Sequence, residues 1–230
     1  MRVGKKRERL NVLFAGVSGS GKSIFAGTLR KDADLEVVEM SVPDNGRSST
    51  YIYDMKGYGI KNDLSERFEE IEVFIKSRYK EYLKEEIRVE REAYEDRRIH
   101  LVVLFLAVSS RGMKEHDLFL LKHLQKMANV IVVIPKSDYH TKEELAEIRE
   151  RVRERVHESA IDLFTITEVP EEALPMAVIG KASSQVDPKM HSDVEMFDHF
   201  LASARVDLID TTHQHFYEGF RRTVLGRGER

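Results

Sequence analysis

Residues Gly16 to Ser23 have the types and the spacing of a phosphate-binding loop: a glycine, four residues, then Gly-Lys-Ser. Gly19 and Gly21 lack a β-carbon, so the backbone can curl and direct successive amide hydrogens at phosphate oxygens. Lys22 would neutralise charge between the β and γ phosphates, and the Ser23 hydroxyl would bind Mg²⁺. An apolar run precedes the loop and a helical pattern follows it, as the motif requires. We therefore predict nucleotide binding rather than a chance glycine-rich turn.

A second polar group follows a later predicted strand, in the segment Asp54-Met-Lys-Gly57. Asp54 would hold Mg²⁺ through a water molecule, and the Gly57 amide would contact the γ-phosphate, as in nucleotide switches. An aspartate and a glycine at a strand end also make ordinary turns. The position one hairpin after the phosphate-binding loop favours the switch.

A third group, Lys136 and Asp138, follows another apolar run. The Asp138 carboxylate could accept hydrogen bonds from guanine N1 and N2, a pair that adenine does not offer, while the Lys136 stem covers the ring. Pro135 stands where the common guanine motif has asparagine. On spacing alone, a Lys/Asp pair that caps the helix beginning near Thr141 is an equal alternative. Gly180 could approach the base with its backbone.

Strand and helix patterns alternate along the chain, which indicates an α/β fold with parallel βαβ units. The carboxyl ends of the strands, and the three polar groups with them, should then meet at one edge of the sheet. We predict a hairpin from strands 35–40 and 49–53 around a turn at 43–46, and a long amphipathic helix over 62–96. Further predicted strands span 10–15, 99–108, 130–134 and 175–180, and helices begin near 23, before 118 and near 141.

The composition bounds the class of protein. The chain has 230 residues, no cysteine and a formal net charge of -3, which excludes disulfides and argues against a general nucleic-acid binder. It has no apolar signal segment or spanning run, so we expect a soluble intracellular protein. His213 and His215 point to different sides of a helix, which argues against a metal pair.

Taken together, these blocks resemble the septins, filament-forming GTP-binding proteins, from about Leu10 to Leu225. Besides the loop they are Asp54 to Gly59, Tyr94 to His100, Pro135 to Asp138 with Thr141 to Glu144, and, most specifically, Ala204 to His213 followed by Phe216 to Arg221. The resemblance implies a three-layer P-loop GTPase domain with a mostly parallel central sheet and a helical septin-type C-terminal extension. The implied segments are a basic 1–9, a GTP-binding 10–182 and a shortened extension 183–230.

The resemblance also implies ligands and partners. Those ligands are GTP or GDP with Mg²⁺, and the partners are other copies of the chain or other septins, assembled through the nucleotide site and the chain ends. The implied place is the cytoplasm, in the cytoskeleton at the cell cortex or division site. Implied phosphate contacts are Ser18, Gly19, Ser20, Gly21, Lys22, Ser23, Ile24 and Gly57, implied metal contacts Ser23 and Asp54, and implied guanine contacts Lys136, Asp138 and Gly180.

Two further contacts are candidates by position. Arg111 stands where septins carry a histidine that reaches the neighbouring subunit's nucleotide. Lys5, Lys6 and Arg7 stand where septins carry a polybasic stretch, which could bind anionic membrane lipids; a solvated tail is the alternative.

Several departures from the septin pattern bear on activity. The first switch looks short, and its threonines, Thr28 and Thr50, fall in a predicted helix and strand. Tyr58 follows Gly57 where many GTPases have glutamine, so we expect GTP hydrolysis to be slow or absent and name no catalytic residue. The chain also lacks tryptophan and, set against the septin pattern, the arginine that stacks on guanine, and we expect a compact member of the family without a C-terminal coiled coil.

Two other functions stay open on the sequence alone. One is a monomeric regulatory switch GTPase. The other is a P-loop ATPase or kinase, for which Asp138 is the discriminating residue.

Overall fold

The structure is a computed structural model, and it describes residues 8–29, 39–44, 48–58, 64–88, 94–108, 112–180 and 192–226. The strands are β1 Glu8–Gly16, β2 Glu39–Asp44, β3 Ser48–Asp54, β4 Leu101–Phe105, β5 Asn129–Pro135 and β6 Met176–Val178. The helices are α1 Lys22–Leu29, α2 Leu64–Glu86, α3 Glu115–Leu124, α4 Lys142–Glu158, α5 Val194–Ser203, α6 Arg205–Thr211 and α7 Glu218–Leu225. Two 3₁₀ turns span Ser137–Tyr139 and Glu171–Ala173, and a π-helix spans Thr212–Tyr217.

The six strands form one sheet in the order β2-β3-β1-β4-β5-β6. Every neighbouring pair is parallel except β2 with β3. The predicted mostly parallel α/β sheet is therefore confirmed. Because the parallel strands share one direction, the loops after β1, β3, β4, β5 and β6 leave from the same edge.

Helices cover both faces of the sheet and bury two apolar cores. On β1, Leu13 and Ala15 belong to the core under α2, α3 and α4, whereas Val12 and Phe14 belong to the core under α1, α5 and α6. The alternation follows from the two-residue period of a strand. The central strand β4 is buried along its whole length, as its unbroken apolar run predicts.

Two predicted boundaries need correction. The predicted first hairpin strand continues past residue 40 through Asp44, since β2 pairs with β3 from Glu39 opposite Tyr53 to Asp44 opposite Ser48, and Pro43 and Asp44 belong to the strand rather than to the predicted turn. Residues 35–38 of the predicted strand and 45–46 of the predicted turn lie outside the described residues. Pro43 fits within β2 because this is an edge strand, where a missing amide hydrogen costs little.

The helix predicted over 62–96 ends at Glu86. Its apolar stripe stops at Ile87, and the stretch 94–100 is not helical. There the chain runs toward β4 instead, and the Arg98 side chain pairs with Asp96 and lies 3.7 Å from the centre of the Tyr82 ring on α2.

The segment α6 to α7 crosses beneath the sheet at the amino ends of its strands. Leu208 is buried in one core and Tyr217 in the other. Asn129 anchors the crossing: its side-chain amide donates to the His100 and Leu208 carbonyls at 2.8 and 3.1 Å and to the Thr212 hydroxyl at 3.2 Å. The predicted domain boundary at 182–183 lies outside the described residues and stays a prediction.

Candidate nucleotide-binding site

A cavity of about 550 Å³ opens at the carboxyl edge of the sheet. Its wall comes from residues 18–25 after β1, 54–57 after β3, and the ends of β4, β5 and β6. All of the predicted phosphate contacts lie in this wall, as do Lys136 and Gly180. The topology thus brings together residues that are far apart in sequence.

The phosphate-binding loop depends on glycine at two turns. Gly19 and Gly21 have φ angles of +75° and +90°, a region that residues with a β-carbon rarely adopt. The loop leads directly into α1, so the first amides of that helix face the cavity, where an anion would be stabilised.

The Lys22 side chain folds back onto the phosphate-binding loop and forms hydrogen bonds with it. Its ammonium group donates to the carbonyl oxygens of Gly16 and Val17, both at 2.9 Å, and to the Ser20 hydroxyl at 3.3 Å. Burial lowers the pKa of Lys22, while the charge of Asp54 acts in the opposite direction. A cationic group surrounded by curled backbone is well suited to phosphate oxygens.

Ser23 and Asp54 meet at the floor of the cavity. The Ser23 hydroxyl donates to Asp54 Oδ2, while the other carboxylate oxygen, Oδ1, is buried and has no hydrogen-bond partner in the described part of the chain. Parallel pairing places Asp54 beside Phe14 at the end of β1. A hydroxyl and a partly unsatisfied carboxylate form the hard oxygen donor set that Mg²⁺ prefers, so these residues fit the predicted metal.

Gly57 touches the phosphate-binding loop. A β-carbon at this position would lie 2.5 Å from Ser18 Cα and 2.9 Å from Lys22 Nζ. The next residue, Tyr58, is tied to the same loop, because the Ser18 amide donates to its carbonyl at 2.8 Å. The segment after β3 therefore rests against the loop, as a sensor of the terminal phosphate would.

The Tyr58 side chain points away from the cavity. It is 4% exposed, and its hydroxyl donates to Asp117 Oδ1 at 2.9 Å. The two threonines are also elsewhere: Thr28 donates to the Ile24 carbonyl within α1, and Thr50 accepts from Arg205 on α6. Among the described residues that line the cavity there is thus no threonine or glutamine to position a water molecule.

Asp138 lies in the 3₁₀ turn after β5, between Lys136 and Tyr139, which line the cavity; Asp138 itself does not line it. Its Oδ1 is buried and has no hydrogen-bond partner among the described residues. Thr141, not Asp138, caps α4: its hydroxyl accepts from the Glu144 amide, and the Glu144 side chain accepts from the Thr141 amide. The alternative in which the Lys136/Asp138 pair caps this helix is therefore wrong.

Gly180 and Ile24 close the cavity between β6 and α1. A β-carbon on Gly180 would lie 2.3 Å from Ile24 Cγ2. Close packing against Ile24 therefore favours glycine at position 180, independently of the predicted approach to a base.

Tyr139 is a residue of the wall that the sequence patterns did not single out. It is 72% exposed and lies beside Lys136 at the rim. An aromatic directly after a strand-end Lys-x-Asp was the signal available in the sequence.

Four predicted residues, Lys5, Lys6, Arg7 and Arg111, fall outside the described residues. Within the described ranges, no three His, Cys, Asp or Glu side chains gather as a metal cluster. His213 instead contacts Arg98 at 2.9 Å. In the same part of the chain, no helix has the length and apolar character needed to cross a membrane.

Comparison with known proteins identifies the family. The septin family model matches residues 30–184, which begin after the phosphate-binding loop. Cell division control protein 10 of Saccharomyces cerevisiae is 27% identical over 97% of this chain and 86% of its own length, and neuronal-specific septin-3 of Bos taurus is 25% identical over 92% and 73%. The crystal structure of Cdc11 from Saccharomyces cerevisiae aligns with a TM-score of 0.68 and 27% identity over 94% of this chain and 99% of that chain.

The septin GTPase domain of Chlamydomonas reinhardtii aligns with a TM-score of 0.73 over 93% of this chain and 98% of that chain; at 20% identity this likeness shows the fold alone. The septin family model, in contrast, covers more than half of the sequence. The chain therefore belongs to the septin family.

Proposed function

We propose that this chain binds GTP or GDP with Mg²⁺ and that the bound nucleotide stabilises contacts between septin subunits, with slow or absent hydrolysis. One observation carries the proposal. A single cavity is lined by the phosphate-binding loop, by the end of β3 and by Lys136 and Tyr139 after β5; Asp138 lies between those two residues in sequence but does not line the cavity, and its Oδ1 is buried with no hydrogen-bond partner among the described residues. An unsatisfied buried carboxylate is costly, and a ligand that donates hydrogen bonds removes that cost.

At the phosphate end of the site, backbone amides and charged groups would bind the ligand. The amides of residues 18–24 and the Lys22 ammonium group would bind the β and γ phosphates. Ser23 and Asp54, through a water molecule, would hold Mg²⁺, which neutralises phosphate charge. The Gly57 amide would contact the terminal phosphate because Gly57 already rests on Ser18 and Lys22.

The base end uses a carboxylate and a lysine stem. Asp138 would accept from guanine N1 and N2, and Lys136 would cover the ring. Lys136 has a φ angle of +57°, an uncommon backbone conformation for lysine, which makes a sharp turn directly after β5. Such strain is characteristic of residues that a binding site holds in place.

The surroundings of Tyr58, Thr28 and Thr50 support the proposal of slow or absent hydrolysis. Tyr58 is engaged with Asp117 inside the core, and Thr28 and Thr50 bond to groups elsewhere. A triphosphate would thus lack the usual group that orients an attacking water. Nucleotide then acts mainly as a structural ligand.

Membership of the septin family supports a proposal for assembly and location. Septins assemble through two alternating contacts that do not close a ring, which produces a linear filament. We propose that this chain pairs with itself or with other septins in the cytoplasm, in the cytoskeleton at the cell cortex or division site. Arg111 would contact the neighbouring nucleotide, and Lys5, Lys6 and Arg7 would contact anionic lipid.

The first experiment identifies the nucleotide and the oligomer together. The purified full chain is denatured, its released nucleotide is identified by chromatography, and its mass is measured by light scattering over a concentration series. Copurified guanine nucleotide and mass that grows with concentration support the proposal. A monomer in both nucleotide states with steady GTP turnover would instead identify a switch GTPase.

The second experiment tests the base contact with Asp138→Asn. Hydrogen bonds to a charged group contribute about 1.5–3 kcal/mol each, so losing this pair should weaken GDP binding about 100-fold or more and improve xanthosine diphosphate binding. Asp162→Asn is the control, since Asp162 is an exposed aspartate remote from the cavity. Unchanged GDP affinity in Asp138→Asn would refute the guanine assignment and favour a P-loop ATPase or kinase.

A further inference from the structure

The Tyr58 hydroxyl is bonded to a carboxylate deep in the core beneath the proposed nucleotide site. Asp117 is 0% exposed, and Tyr58 is 4% exposed. The hydroxyl donates to Asp117 Oδ1 at 2.9 Å. Burial and then the charge of Asp117 raise the pKa of Tyr58, so the hydroxyl keeps its proton and remains a donor.

Asp117 is itself anchored to the rigid part of the fold. Its Oδ2 accepts from the Ala107 amide, just after β4, at 2.8 Å, and the residue sits in the first turn of α3. His116 Nε2 lies 3.4 Å from Oδ1, and its ring packs edge-on to Tyr58. The carboxylate thus joins β4, α3 and Tyr58.

The backbone of Tyr58, in contrast to its side chain, is bonded to the phosphate-binding loop. Tyr58 forms a parallel bridge with Val17, and its carbonyl accepts from the Ser18 amide at 2.8 Å. Gly57, one residue earlier, is packed against Ser18 and Lys22. Tyr58 is therefore held from both sides, by the loop through its backbone and by the core through its hydroxyl.

We propose that Tyr58 is a positioning residue that uses its hydrogen bond to Asp117 to hold the Gly57 amide where a terminal phosphate binds, and so gives the site its preference for triphosphate over diphosphate. The proposal rests on the proposed nucleotide function. It assigns to Tyr58 a role in ligand discrimination in place of the water-positioning role that its place in the sequence would suggest.

The hydroxyl is the group that matters in this arrangement. Phenylalanine would fill the same space but would leave the buried Asp117 Oδ1 without its tyrosine donor, and a buried acceptor without a donor drives a local shift. The shift would loosen the segment after β3, whose contacts with the loop are backbone hydrogen bonds. A diphosphate lacks the terminal phosphate that the Gly57 amide would contact, so its binding should change little.

The test compares Tyr58→Phe with Tyr79→Phe in the full chain. Tyr79 is a matched control, since it is 2% exposed and its hydroxyl donates to the Met127 carbonyl at 2.8 Å, with no link to the cavity. Calorimetry with GDP and with the slowly hydrolysed analogue GTPγS gives the ratio of the two affinities. We expect Tyr58→Phe to lower the GTPγS preference about tenfold, and Tyr79→Phe to lower thermal stability without changing the ratio.

A second variant, Asp117→Leu, has a similar size but no acceptor for the Tyr58 hydroxyl. It should lower the ratio in the same direction, and adding Tyr58→Phe to it should change the ratio no further, because the contact is already absent. An unchanged ratio in Tyr58→Phe, or an equal change in Tyr79→Phe, overturns the proposal. A wild-type chain that binds neither nucleotide overturns the proposed function, and the inference with it.

Discussion

Gly57→Ala should weaken triphosphate binding much more than diphosphate binding. The new β-carbon would lie 2.5 Å from both Cα and N of Ser18 and 2.9 Å from Lys22 Nζ. Ordinary van der Waals contact begins near 3.4 Å, and the Ser18 atoms belong to backbone that is itself bonded to Tyr58. The methyl group therefore cannot be accommodated by a side-chain rotation.

The loss of GTPγS affinity depends on whether the segment after β3 stays in place or moves away. If the segment stays in place, overpacking costs about 1–3 kcal/mol. If it moves away, the hydrogen bond from the Ser18 amide to the Tyr58 carbonyl is lost, at about 1 kcal/mol, and the Gly57 amide leaves the terminal phosphate. Since 1.4 kcal/mol is a factor of ten, GTPγS affinity should fall about 10- to 100-fold, with a much smaller loss for GDP.

Calorimetric titration with both nucleotides measures the effect, and Gly27→Ala provides the matched glycine control. Gly27 is exposed in α1 with nothing within 4 Å of an added β-carbon. That substitution should stabilise the fold by about 0.5–1 kcal/mol and leave both affinities unchanged. If Gly57→Ala binds GTPγS as tightly as the wild type, the segment after β3 does not sense the terminal phosphate, and our account of the site is wrong.

Two further predictions concern the base end of the site and the core. Tyr139→Ala should weaken GDP binding about tenfold, since contact between a base and an aromatic ring contributes about 1–3 kcal/mol. The affinity of Tyr139→Ala for pyrophosphate and the affinity of Tyr139→Phe for GDP should both stay near the wild-type values. Equal losses of GDP and pyrophosphate affinity in Tyr139→Ala would contradict this prediction. Burial lowers the pKa of His100, whose Nδ1 accepts from the Asn11 amide at 2.9 Å, so below about pH 6.5 the unfolded chain binds a proton that the folded chain does not. The free energy of unfolding should therefore fall, by up to about 1.4 kcal/mol per pH unit, as the pH drops from 6.5 toward the lowered pKa. Urea unfolding at pH 7.5 and 5.5 should show a weaker pH dependence in His100→Asn, and an identical dependence would refute the assignment.

Local patterns predicted the strands and helices that carry the site. The phosphate-binding loop needs only a strand, a short glycine-rich turn and a helix, all within residues 8–29. The alternation of apolar residues on β1 and the unbroken apolar run of β4 likewise report burial directly. Parallel order then follows from the alternation of strands with helices.

Contacts between segments that are distant in sequence decided details of the elements that the local patterns left ambiguous. The bounds of β2 depend on β3, because an edge strand that contains Pro43 has weak propensity of its own. The stretch 94–100 depends on Arg98, whose pairing with Asp96 and packing on Tyr82 favour an extended chain leading into β4. Such contacts join residues that a local window does not compare.

By itself the sequence determined that a phosphate-binding loop, a switch-like Asp54 to Gly57 and a strand-end Lys-x-Asp would share one edge of a parallel sheet. Only the tertiary structure decided what those side chains face. Thr141 rather than Asp138 caps α4, Asp138 Oδ1 has no hydrogen-bond partner among the described residues, and Tyr58 turns inward to a buried acceptor on Asp117. The physical reason is that a hydrogen-bonding group is defined by its partner, and these partners come from other elements of the fold.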